Sequence, residues 1–220
     1  MKRSVYSLVL MDDVVRKIDQ AAYSMNTSRS NLINQILAEY VSCPTPEQRT
    51  KDIFDQIAQM VSGEQSLQLQ GPPSDGMLSI RSALRFRYNP TIRYAVEIYR
   101  EGGDIFGELR VSSRTQSRQL LDYLSDFFTR FARMEIQERQ ISSEVLEYRI
   151  EDGRFSRKFS LPPNVRRLTN RQLGNAVAWY IQMFDRVIES YFDSISQELP
   201  PEEGMRKQYM EYLKNTDWLI

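Results

Sequence analysis

The sequence has no histidine and a single cysteine, Cys43, in 220 residues. Without imidazole it lacks the commonest general base and the commonest metal ligand. One thiol closes no internal disulfide and makes no zinc site by itself. Cys43 also has no imidazole to activate it as a nucleophile. Net charge is missing as well: 29 basic and 29 acidic residues cancel. No overall field therefore marks the chain for nucleic acid or a membrane surface. No apolar run approaches the roughly 18 residues that a membrane span needs. The opening MKRSVYSLVLMDD starts like a signal peptide, but Ser7 breaks its apolar stretch and acids, not small residues, end it. A cytoplasmic protein is expected. Phosphate loops, dinucleotide fingerprints and nucleophile elbows do not occur. Neither an enzyme nor a cofactor or metal is expected.

What is present begins with a short β-type run, Val5 to Leu10, followed at once by a helical pattern. Val14, Ile18, Ala21 and Met25 form one apolar stripe, with Asp12 and Asp13 placed as a cap and a first-turn acid. Asn26 follows as a left-handed helix stop. A second helix opens at Ser28, a good N-cap, and carries a broad face of Leu32, Ile33, Ile36, Leu37, Tyr40 and Val41. CPTP at 43–46 ends it. A strand and two helices in about 43 residues cannot bury that face alone. Pairing with a second copy, strand against strand, would.

The stretch YSLVLMDDVVRKIDQAAYSMNTSRSNLINQILAEYV resembles a ribbon-helix-helix domain of the Arc/MetJ/CopG type. The features that match are the alternating strand, the immediate helix, the glycine-like Asn26 and the SRSNLI opening of the second helix. The resemblance covers residues 2–43. It implies an intertwined homodimer, joined through the N-terminal strand and the second helix, that lays a two-stranded ribbon in the DNA major groove. Tyr6, Leu8 and Leu10 then point inward, and Val5, Ser7 and Val9 face the bases. Ser28, Arg29 and Ser30 match the phosphate clamp, with Lys2 and Arg3 as further phosphate contacts. The base-facing trio departs from the family pattern, because valine offers no hydrogen bond to a base edge. The module's charge is modest: residues 1–43 hold five basic and four acidic side chains.

Residues 44–220 read as a second domain. TPEQ (45–48), SRTQ (113–116) and TNRQ (169–172) are capping-box patterns that open helices of about 46–62, 114–137 and 170–197. Period-two stretches lie between them at 77–88, 91–100 and 105–113, then at 143–150 and 154–161 around the hairpin signal EDG. SLQLQ (66–70) is a candidate edge strand, GGD (102–104) a turn, and the last twenty residues a short final helix. The expected class is α+β: a ribbon-helix-helix module followed by an α-β-β-β-α-β-β-α domain with an antiparallel sheet and helices on one side. The element order is similar to the type III secretion chaperone and YbjN-like α+β fold.

Two acid-free windows, 76–96 and 153–184, segregate charge. They hold Arg81, Arg85 and Arg87, and then Arg154, Arg157, Lys158, Arg166, Arg167 and Arg171. One reading is a second anion-binding surface. The other is a solvated sheet face, paired with acids such as Glu97, Glu108 and Glu147. The functional expectation is a dimeric DNA-binding transcriptional regulator or repressor, whose large domain holds an effector or a protein partner. A chaperone-like scaffold that uses the ribbon only to dimerise is the alternative, and an antitoxin is a third.

Overall fold

The computed structural model describes residues 5–41, 43, 45–74, 76–99, 105–141, 146–161, 165 and 168–220. The chain divides into two compact units, Met1–Arg49 and Thr50–Ile220. Among the described residues, no helix is long and apolar enough to cross a membrane.

The first unit consists of α1 (Asp12–Ser24) and α2 (Arg29–Tyr40). Met11, not Asp12, is the N-cap of α1, and both aspartates sit in its first turn. There they complement the positive end of the helix. Asn26 takes the expected positive φ, 51°. Ser28 caps α2, its hydroxyl accepting from the Asn31 N–H at 3.2 Å. The strand expected at 5–10 is absent: residues 5–11 carry no regular structure. The physical reason is that a strand is defined by its ladder, and these residues meet no partner strand within one chain.

The boundary falls in the first turn of α3 (Pro46–Val61), and the second unit continues as β1 (Leu67–Leu69), β2 (Met77–Ala83), β3 (Thr91–Ile98), β4 (Ile105–Ser113), α4 (Arg118–Arg139), β5 (Tyr148–Glu151), β6 (Arg154–Ser160), α5 (Asn170–Ser196), α6 (Glu202–Asn215). The strands form one antiparallel sheet ordered β1-β2-β3-β4-β6-β5. The period-two pattern fixes its faces. Ile80, Tyr94, Leu109 and Phe155 are buried, while Arg81, Arg93 and Arg110 stay exposed. The buried face meets α4 and α5 through stacked and edge-on rings, among them Phe128 on Phe155 at 5.3 Å and Tyr94 on Phe184 at 6.2 Å.

Local chemistry explains most element ends. Thr169 and Gln172 form the full capping box that starts α5. Thr45 accepts from the Gln48 N–H at 3.1 Å. SRTQ is not a helix start: Ser113 belongs to β4 and pairs with Ile92, so α4 opens later behind Ser117. β2 also ends sooner than its alternation suggests, at Ala83. The Leu84 N–H donates to Pro90 O at 2.9 Å, and Tyr88 and Asn89 take positive φ, so the chain is already turning. Asp152 and Gly153, both at positive φ, make the two-residue turn that EDG signals. The turn at 102–104 and the start of the stretch at 143–150 lie outside the described residues.

One helical glycine has a packing reason. A Cβ on Gly174 of α5 would meet Gln56 Cβ at 2.6 Å and Ile53 O of α3 at 3.1 Å. Alanine is intrinsically better in a helix by about 1 kcal/mol, but the forced separation of two helices costs more. Gly174→Ala is expected to lower stability by about 1–2 kcal/mol in urea denaturation. A gain would show that α3 yields.

Candidate nucleic-acid interface

The residues expected to face DNA lie on the first unit. Val5 and Val9 are completely exposed, at 100% and 103%, while the expected inward residues Leu8 and Leu10 are 58% and 38% exposed. Exposure thus alternates over Leu8 to Met11. Tyr6, also expected inward, is 84% exposed. Lys2 and Arg3 lie outside the described residues.

At the start of α2, Ser28, Arg29 and Ser30 are all exposed. The first turn of a helix presents unpaired N–H groups, and Ser28 satisfies that of Asn31. Arg29 is not free. Its Nε and Nη2 form a two-pronged bond with the Asp19 carboxylate of α1, both at 2.5 Å. That hydrogen bond raises the Arg29 pKa. The pair braces α1 against α2 and cancels the guanidinium charge where a phosphate would sit.

About half of the exposed residues of this unit are apolar. Among the described residues, Val5 to Leu10 and then Met11, Tyr23, Met25, Ile36, Leu37, Tyr40 and Val41 include twelve of the fifteen exposed large hydrophobic side chains. Only Ala22 and Leu32 are buried apolar residues between 5 and 41. Of the broad face read on the second helix, Ile36, Leu37, Tyr40 and Val41 are open, Ile33 is half-buried and Leu32 is buried.

The second set of basic residues does not form one surface. Arg81 bonds Gln68, Arg85 lies 3.7 Å from Glu189, and Arg87 reaches Gln119 at 3.5 Å. Lys158 pairs with Glu147, and Arg110 pairs with Glu97 and Glu108, as the solvated-face reading expects. Arg154 and Arg171 are exposed, while Arg166 and Arg167 lie outside the described residues. Arg157 has to be removed from any surface: it is 0% exposed. It shares parity with Phe155 and Phe159 on β6, and both of those are buried.

Inside the unit, Arg157 Nη2 donates to Glu135 Oε1 at 3.0 Å, and Glu135 is 0% exposed too. Tyr148 and Tyr180 donate to Glu135 Oε2 at 2.7 and 2.8 Å. Arg139 and Arg157 both donate to the main-chain oxygen of Ile220. Burial alone would push the Arg157 guanidinium down, and the Glu135 carboxylate outweighs it and holds it up. Burial pushes the Tyr148 and Tyr180 phenols up. Arg157, Tyr148 and Tyr180 are thereby kept protonated beside Glu135. The sequence reading missed this network, although the Phe-x-Arg-x-Phe parity of β6 was its signal.

Comparison of the chain with protein-family models, curated proteins and solved structures finds no match.

Proposed function

We propose that the first unit is a ribbon-helix-helix module: two copies pair through residues 5–10 and α2, and the dimer binds duplex DNA. The observation that carries this is the open apolar surface over residues 5–41, beside only two buried apolar side chains. Each such side chain contributes about 1.5–3 kcal/mol when it is fully covered, which favours a second copy. Pairing strand to strand would also satisfy the N–H and C=O groups of residues 5–10. The Ser28-capped start of α2 supports the DNA reading.

The charge-neutral clamp defines the mechanism. Arg29 must exchange Asp19 for a phosphate, so binding is weak in salt and helped by the helix N–H groups. Val5, Ser7 and Val9 touch thymine methyls at best, so discrimination rests on methyl contacts and DNA shape.

Two measurements test this. Sedimentation should show a dimer, and Ile36→Glu with Leu37→Glu should give a folded monomer that no longer binds labelled duplex at low salt. Arg29→Glu should weaken binding and reduce the salt slope by about one unit per lost phosphate contact. A dimer that ignores DNA at low salt ends the DNA reading. It would favour a protein-binding scaffold, which the Val–Ser–Val face and the Arg29–Asp19 pair also support.

A further inference from the structure

On the sheet face opposite the buried one, strand register sorts charge into rows. One row runs Gln68, Arg81, Arg93, Ser112 from β1 to β4. Another, four residues along β2, runs Met77, Glu97, Glu108, Lys158 from β2 to β6. The acids of the second row are paired: Arg110 bonds both Glu97 and Glu108. The arginines of the first row are not. Arg81 lies directly across from Arg93, and like charges facing each other across strands repel. Their own bonds go to neutral groups, Arg81 to Gln68 at 3.0 Å and Arg93 to Ser79 at 3.1 Å.

Beyond that row the surplus continues. Ala83 pairs with Thr91, and the β2–β3 hairpin turns just past them. Arg87 in the turn reaches Gln119 of α4, whose first residue is Arg118. Arg114 follows Ser113, which pairs with Ile92 at the same end of the sheet. All five arginines, 81, 87, 93, 114 and 118, are exposed. Among the described residues no acidic side chain pairs with any of them.

The hairpin tip is built to present Tyr88. The Asn89 N–H donates to Phe86 O at 2.8 Å, and the Leu84 N–H donates to Pro90 O at 2.9 Å. Phe86 anchors the loop, its ring 5.8 Å from Tyr123 of α4 and 4.8 Å from Phe192 of α5. Tyr88 takes φ 65°, a conformation that turns reserve for glycine or asparagine. Its side chain is completely exposed, at 101%. A well-tied turn thus holds a strained tyrosine in water among unpaired arginines. Strain of this kind collects at functional sites.

We infer that this end of the second unit binds the backbone of duplex DNA. Arg81 and Arg93 take phosphates, which also relieves their mutual repulsion. Arg87 and Tyr88 at the tip take adjoining phosphate and sugar oxygens. The surroundings select this partner. A protein interface has an apolar centre, whereas the outward neighbours of Arg81 and Arg93 are Ser79, Ala83, Thr91 and Ser112. A polar, strongly basic surface suits a nucleic-acid backbone. Single strands lie on several aromatic rings. Here Tyr88 is the one fully exposed ring among the described residues of the second unit. Backbone contacts of this sort add affinity and no sequence preference. The inference extends DNA contact to the second unit, and it uses no residue of the first.

The test measures anisotropy of a labelled mixed-sequence duplex with the full chain, across a salt titration. Arg81→Gln with Arg93→Gln should weaken binding about tenfold or more at low salt and reduce the salt slope by about two units. Tyr88→Gly suits the positive φ, so it should hold or raise Tm while lowering affinity about fivefold or more. Both losses should persist on top of Arg29→Glu. If Arg29→Glu has no effect and the arginine pair does, the inference stands and the phosphate clamp of the first unit falls. The inference is overturned if the parent ignores duplex, or if the arginine pair leaves affinity and slope unchanged, even where Arg29→Glu abolishes binding. It is also overturned if a single strand of equal length binds more tightly, or if polyglutamate competes as well as unlabelled duplex.

Discussion

Glu135→Ala should lower the free energy of unfolding by about 3–5 kcal/mol, a large share of the roughly 5–15 kcal/mol that holds a domain together. The reason is the charge it leaves behind. Arg157 is 0% exposed, and among the described residues Glu135 is the only acidic side chain bonded to it. Among the described residues, its Nε already lacks a partner. What stays with the guanidinium is the main-chain oxygens of Lys158 and Ile220 and a cation–π contact with the Tyr180 ring, 4.6 Å from the guanidinium carbon. Tyr148 and Tyr180 would lose their acceptor in the same substitution. Chemical denaturation measures the loss. Replacing both charges, Glu135→Leu with Arg157→Met, should recover at least half of it, because two neutral hydroxyls are cheaper to strand than one cation. A double variant as unstable as the single one would assign the cost to lost shape instead.

Phe184→Ala should cost a similar amount, about 3–5 kcal/mol. Phe184 of α5 is 0% exposed and sits where the ring contacts of both layers converge. Phe131 lies 4.5 Å away, Phe155 5.2 Å and Phe127 5.5 Å, centroid to centroid. Removing it opens a dry, aromatic-lined hole between helices and sheet. Such holes bind small apolar molecules, so benzene should raise the Tm of this variant and leave the parent unchanged. Phe184→Leu keeps most of the volume and should cost about 1–2 kcal/mol. If alanine and leucine cost the same, the core closes over the gap.

Much of the second unit could be read from residue order, since strand alternation and capping are local. TNRQ gave the start of α5, and EDG the β5–β6 turn. SRTQ misled because Ser113 has a stronger competitor, the β4 ladder, which a local motif does not reveal. Arg157 was grouped by a charge window when its parity with Phe155 and Phe159 places it inside. Ser66, Tyr94 and Asp185 are remote in sequence and meet only when α5 crosses the sheet. On the first unit, the positive φ of Asn26 and the Ser28 cap were legible for local reasons. The strand expected at 5–10 does not form, because residues 5–11 meet no partner strand within the chain.

The sheet's outermost strands, β1 and β5, are three and four residues long. β5 also carries the exposed pair Arg149 and Glu151, 3.0 Å apart. Short, charged borders offer another chain almost no row of free N–H and C=O groups to continue. This sheet is therefore a poor template for growth. In a crowded solution, mispaired assembly through the edges of this sheet is discouraged.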